Sequence, residues 1–136
     1  GAFLTKEFCS VLEPGDHGST FGGNALTTAA GGAAAQVLLD EKLPEMANSN
    51  GNYFMEKLKS LMNEFSFITE VRGKGLLIGL EMSKDISPEI VSRCLDKGLL
   101  INAVRPNMIR FMPPLNVTKN QIDKSVSILI SVLKEM

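Results

Sequence analysis

Two hydroxyls, Ser19 and Thr20, and the chain's only histidine, His17, fall inside the turn-rich run EPGDHGSTFGGN (13–24), which leads straight into an alanine-rich stretch. Gly15, Gly18, Gly22 and Gly23 let the backbone turn its N–H groups toward a common point. The helix that follows presents free N–H groups and the positive end of its dipole. An anion suits that inventory, with Ser19 and Thr20 as hydroxyl donors where no lysine or arginine is at hand. Known phosphate loops match poorly, since neither GxxxxGK[ST] nor a GxGxxG after a strand is present. A structural turn at a helix entry and an anion site both fit the composition. His17 with Ser19 suggests a nucleophile and its base, but side chains two apart in a loop need not meet and no third residue orients the imidazole, so a hydrolase is disfavoured.

Two cationic residues also bear on chemistry. In MIRFM, strand alternation puts Met108, Arg110 and Met112 on one face and Ile109 with Phe111 on the other. A guanidinium among apolar neighbours needs a partner. It either snorkels to the sheet edge or clamps a carboxylate, a task its fixed fork suits better than lysine's point charge. Lys74, flanked by glycines in RGKGL, could in principle bind an aldehyde, but Arg72 to Gly75 read more simply as a turn between strands. The methionines occupy core positions of helices and strands.

The elements that must position these residues follow from periodicity. KEFCSVL forms a helical turn or two after the short apolar segment AFLT, before the Pro14-Gly15 breaker. Asn24 caps a helix in which Ala25, Leu26, Ala29, Ala30, Ala33, Ala34, Val37 and Leu38 repeat at helical spacing; it should end near Lys42. Gly31 and Gly32 inside it predict close packing against another helix. A second helix spans roughly 44–64 with Met46, Tyr53, Phe54, Leu58, Leu61 and Met62 inward and Asn50-Gly51 weakening its middle. FITEVRGKGLLIGLEM reads as two strands joined through Arg72 to Gly75. Ser87-Pro88-Glu89 fits an N-cap with proline at the first helical position, and Ile90, Val91, Cys94 and Leu95 continue to Gly98. LLIN and MIRFM are strands, and Thr118 caps a last helix with an apolar stripe of Ile122, Val126, Leu129, Ile130 and Leu133.

The order strand, strand, helix, strand, strand, helix after residue 66 predicts an α+β unit: helices on one face of a short, mostly antiparallel sheet, preceded by a long helix. One compact unit is expected after about residue 44, with the first third an arm needing a surface to pack on. Lys and Arg number 14 against 15 Asp and Glu in 136 residues, so no polybasic footprint argues for nucleic acid and no acidic excess for disorder. Cys9 and Cys94 lack CxxC or CxxxH partners, which disfavours zinc and disulfides and suits a reducing cytosol. No signal pattern or apolar run of 18 points to secretion or a membrane. The chain opens on Gly1 without an initiator methionine, as a fragment would.

PGDHGSTFGGN before an alanine-rich helix, then EVRGKGLLIGLEM, KGLLIN and MIRFMPPLNVT, in this order, resemble the C-terminal part of the acetylornithine-type class III aminotransferases, which use pyridoxal phosphate. The resemblance covers nearly the whole chain. It departs at NAL, where the family usually has NPL, a position with no catalytic role. It implies a fold-type I aminotransferase, with residues 1–43 the end of the large cofactor domain and connecting helix, and 44–136 the C-terminal small domain. Thr20 corresponds to the threonine that touches the cofactor phosphate of the neighbouring subunit in a homodimer, Ser19 to a residue that meets the acetylornithine substrate, and Arg110 to the arginine before the PP step that faces a substrate carboxylate.

The same resemblance implies that the Schiff-base lysine and the acidic partner of the pyridine nitrogen lie upstream, so this chain holds no catalytic residue and is inactive alone. The parent is expected to be cytoplasmic and to move the amino group of N2-acetyl-L-ornithine to 2-oxoglutarate, a step of arginine biosynthesis. Sister enzymes for ornithine, succinyl-diaminopimelate or 4-aminobutyrate share the scaffold. The other reading is a stand-alone α+β module that binds a phosphorylated ligand or a partner. A module should be monomeric with an ordered arm; a fragment should expose the apolar face of helix 24–42 and associate.

Overall fold

The computed structural model describes residues 4–136; Ala2 and Phe3 of the expected apolar segment lie outside them. The chain divides into two units, one ending at Glu41 and one spanning Lys42–Met136. In the first, Glu7–Cys9 make a single 3-10 turn and α1 runs over Ala25–Asp40. Asn24 caps α1 as its position predicts: its Oδ1 accepts from the Thr27 N–H at 3.0 Å, satisfying one of the donors that a helix start leaves free. No residue of α1 is buried. Nothing lies within 4 Å of a Cβ built on Gly31 or Gly32, so the close packing expected of them is not found among the described residues. Lys42 takes a left-handed backbone (φ 51°), a conformation costly for a side-chain-bearing residue, and it separates α1 from the next helix.

That helix, α2 (Leu43–Ser60), carries Pro44 in its first turn and tightens into a 3-10 turn at Leu61–Asn63. Its buried stripe is Leu43, Ala47, Gly51, Phe54 and Leu58, stepping by three or four as a helix face must. Met46 and Met62, expected inward, are 38% and 37% exposed; Met46 lies a residue off the stripe, which rotates it about 100° from the core. Gly51 is the larger correction. A Cβ there would run into the Gly75 backbone carbonyl, so this glycine lets α2 approach a strand turn rather than weakening the helix.

The sheet contains β1 (Ile68–Lys74), β2 (Leu77–Met82), β3 (Asn102–Arg105) and β4 (Met108–Phe111), ordered β1-β2-β4-β3 with every pair antiparallel. Arg72 to Lys74 pair with β2 inside the strand, which corrects the expected turn; the turn is Gly75-Leu76, with Gly75 at φ 55°. LLIN is corrected too: Leu99 is used to close helix α3 (Ser87–Asp96), its N–H donating to the Cys94 carbonyl at 2.8 Å, and pairing begins at Asn102. Ser87 is not the cap. Ile86 holds that position, while the buried Ser87 hydroxyl donates to the Arg105 carbonyl and ties α3 to the end of β3. Leu95 faces outward.

Thr118 and Gln121 form a reciprocal capping box at the start of α4 (Lys119–Leu133), whose stripe is the expected one with Val132 added and Ile130 half-buried. Ile78, Leu80, Met82, Ile109 and Phe111 join Phe54, Leu58, Ile90, Cys94, Ile122 and Leu129 in one core. Phe54 of α2 meets Phe111 of β4 edge to face with ring centroids 5.1 Å apart, a favoured aromatic geometry. The strand alternation therefore turns one sheet face toward the helices and leaves the other open, as expected for this α+β class.

Candidate functional site

On the open face the register lines up one residue from each strand. Arg72 of β1 lies opposite Gly79 of β2, Gly79 opposite Arg110 of β4, and Arg110 opposite Asn102 of β3. Adjacent strands are about 4.8 Å apart, so the two arginine backbones stand about 10 Å from each other with a glycine between them. A Cβ on Gly79 would strike the Met108 methyl; that thioether fills the place of the missing side chain. Two shallow grooves meet at Arg110. The larger, about 510 Å³, is lined by Arg72, Lys74, Arg105 and Met108 among others. The smaller, about 360 Å³, is lined by Leu100, Ile101, Asn102 and Met112.

The two guanidinium groups in this row differ in charge balance. Arg72 donates from Nη1 to Glu81 Oε2 at 2.6 Å and to Glu70, and its Nη2 rests 3.7 Å from Met108 Sδ. The Glu81 hydrogen bond, with Glu70 nearby, raises the Arg72 pKa above its already high value. Arg110 donates from Nη2 to Asn102 Oδ1 at 3.0 Å. Its Nε is buried without a partner, and no carboxylate pairs with it among the described residues. Arg72 is thus neutralised by two carboxylates, and Arg110 faces the grooves with a neutral neighbour, an arrangement whose remaining N–H donors are chemically suited to a planar carboxylate. Sequence reasoning took Arg72 for a turn residue; the alternation of Glu70, Arg72 and Lys74 on one face was the available signal.

In the other unit, the loop spends part of its donor set on itself. Ser19 Oγ accepts from the Gly22 N–H at 2.9 Å, Asn24 Nδ2 donates to the Phe21 carbonyl at 2.6 Å, and the Asn24 side chain already holds Thr27 N. The expected convergence of free N–H groups is reduced accordingly. Thr20 and His17 are exposed and make no side-chain hydrogen bond among the described residues, and the structure does not join His17 to Ser19. The Thr20 hydroxyl remains free, and the Ser19 hydroxyl keeps its own proton to donate. Residues 7 to 41 contain no lysine or arginine, so this donor set fits contact with a phosphate whose charge is balanced elsewhere.

The remaining candidates do not form sites. Lys74 ends β1, exposed. The Cys94 thiol is buried and desolvation pushes it up to about 11, whereas Cys9 is exposed and also free. Among the described residues no group of three or more His, Cys, Asp or Glu is placed to hold a metal, and no helix is long and apolar enough to cross a membrane.

Comparison with known proteins bears on both units. The family model described as aminotransferase class-III matches residues 1–133. An acetylornithine aminotransferase of Caldanaerobacter subterraneus is 45% identical over 136 residues, all of this chain and 35% of that protein. An ornithine aminotransferase of Exiguobacterium is 42% identical over 128 residues, 94% of this chain and 31% of that protein. The crystal structure of acetylornithine aminotransferase from Elizabethkingia anophelis superposes with a TM-score of 0.83 at 38% identity, covering 92% of this chain and 34% of that one. The chain thus spans about a third of the length of the relatives it matches. Among the described residues, α2, α3 and α4 with the antiparallel four-stranded sheet make the α+β arrangement of a fold-type I aminotransferase small domain. The chain belongs to the class-III aminotransferase family.

Proposed function

We propose that this chain is the C-terminal part of a pyridoxal 5'-phosphate-dependent aminotransferase that moves the amino group of N2-acetyl-L-ornithine to 2-oxoglutarate, a step of arginine biosynthesis. The observation that carries the reading is the Arg110 guanidinium, held by a neutral amide on an open sheet face and short of an anion. Both substrates of this reaction are carboxylates, and a fixed arginine fork is the side chain that orients one. The names of the relatives favour the acetylated donor, the one 45% identical over the whole of this chain being an acetylornithine aminotransferase.

When bound, pyridoxal phosphate supplies the electron sink that makes a bond to the amino-bearing carbon labile. The work of this chain lies around that chemistry. The Thr20 hydroxyl donates to a phosphate oxygen of the cofactor held by a second copy, Ser19 meets the acylated substrate beside it, and Arg110 binds a substrate carboxylate. The lysine and the acid that anchor the cofactor belong to the part of the enzyme outside this chain, so the chain alone is inactive. The assembled enzyme is a homodimer acting on amino acids and 2-oxo acids in the cytoplasm. The wholly exposed α1 supports the need for such a partner surface.

The test is to mix the purified chain with pyridoxal phosphate, reduce with borohydride, and map retained pyridoxyl groups by peptide mass. The expected result is no stoichiometric adduct. One adduct per chain at Lys74 would overturn the division of labour proposed here. For the donor, a substrate panel on the full-length enzyme is expected to favour acetylornithine; faster turnover of free ornithine would assign the ornithine branch instead.

A further inference from the structure

Arg72 and Arg110 occupy the same face of the same sheet, two strands apart in one row, yet one is saturated with negative charge and the other touches none. Their neighbours make the difference. Glu70 and Glu81 flank Arg72, whereas the residue directly across from Arg110 on β3 is Asn102. We propose that Asn102 is a positioning residue: its amide oxygen orients the Arg110 guanidinium toward an incoming carboxylate while leaving the positive charge unspent. The proposal rests on the carboxylate reading of Arg110 and deepens it.

Physical chemistry gives the amide two roles that no other neighbour in the row fills. An arginine side chain carries rotamer freedom that binding must remove, and a residue that fixes the fork beforehand lowers that cost. The hydrogen bond at 3.0 Å from Nη2 to Oδ1 does so, and the buried Nε shows that the stem is seated rather than extended into solvent. Nη1 and the second N–H of Nη2 remain uncommitted among the described residues. A carboxylate at position 102 would orient the group equally well but would compete for those donors as a bidentate partner, as Glu70 and Glu81 do at Arg72. An amide oxygen accepts without carrying a formal charge. The larger groove is lined by Lys74, Arg105 and both row arginines, of which, among the described residues, only Arg72 has its charge cancelled, by Glu70 and Glu81.

The test uses the full chain, with NMR of the arginine Nε–Hε groups and sodium acetate as the carboxylate probe. In the unaltered chain the Arg110 resonance is expected to be ordered and to shift on acetate addition, with Arg72 an internal control that does not respond. Asn102→Asp should keep Arg110 ordered yet weaken its acetate response by about two- to fivefold, the size of a partly exposed ion pair. Asn102→Ala should lose the order of Arg110 without moving Arg72, and Asn102→Gln should restore part of it. Backbone spectra check that each variant, altered on an open face, keeps the fold. Acetate affinity in Asn102→Asp equal to the unaltered chain overturns the charge-sparing role while the carboxylate reading stands. Unchanged Arg110 order in Asn102→Ala overturns the positioning role. No acetate response at Arg110 in the unaltered chain overturns the carboxylate reading and the inference with it.

Discussion

The unit ending at Glu41 and the unit over Lys42–Met136 obey the same local rules and differ in what those rules accomplish. α1 has an asparagine cap and six alanines in sixteen residues, as favourable a local sequence as α4 with its capping box, yet α1 buries nothing and α4 buries five residues. Propensity and capping therefore specify a helix in both places, and only tertiary packing stabilises one of them. The first unit carries the exposed hydroxyls proposed to contact a phosphate; the second builds a framework whose open face holds a guanidinium in place.

The contrast is broken most strongly in the core. Leu58→Ala, fully buried on α2, should cost about 2–5 kcal/mol in urea unfolding, whereas Leu26→Ala on α1 should stay within about 0.5 kcal/mol. Gly51→Ala should cost about 1–3 kcal/mol, because its methyl meets the Gly75 backbone, which has little room to yield. The two caps divide next. Thr118→Ala should lower the stability of the second unit by about 1 kcal/mol, while Asn24→Ala should reduce helical circular dichroism and leave the main unfolding transition in place. Alkylation sharpens the same difference: Cys9 should react freely at neutral pH, and Cys94, with its thiol pushed up to about 11, only as the core opens.

The smallest effect is electrostatic. Asp123 accepts from the Tyr53 hydroxyl at 2.7 Å and pairs with Lys57 at 3.2 Å, and the Tyr53 hydrogen bond holds its pKa below the ordinary 3.8. A carboxylate lowered in the folded state adds stability above its unfolded pKa and loses it as pH falls through the lowered value. Asp123→Asn should therefore flatten the acid limb of the pH–stability curve below about pH 4; an unchanged limb would show that this pair does not link α2 to α4.

Elements with strong periodicity were legible in the sequence: the Asn24 and Thr118 caps, the strands β2 and β4 and the stripe of α4 follow from spacing. What escaped reading depends on contacts between segments distant in sequence. Gly51 looked like a flaw because the Gly75 carbonyl it accommodates lies 24 positions on, and Ser87 looked like a cap because nothing local announces the Arg105 carbonyl that takes its hydroxyl. Arg110 stood out by residue type on an apolar strand face. Its partner Asn102 did not, since the pairing of β3 with β4 is invisible until the register is known.

That register has a mechanical consequence. β1 with β2 and β3 with β4 are each hairpins closed by short turns, while the β2–β4 seam joins Ile78 to Phe111 and Glu81 to Met108 across the whole of α3. Arg72 and Gly79 ride on one hairpin, Asn102 and Arg110 on the other. If the sheet parts along its long-range seam, the arginine row splits into two halves, although each hairpin keeps its own pairing. The larger groove beside Arg110 draws its lining from both hairpins and dissolves when the seam opens, so a carboxylate held by Arg110 and seated in that groove would act as a clasp between two otherwise local pieces of chain.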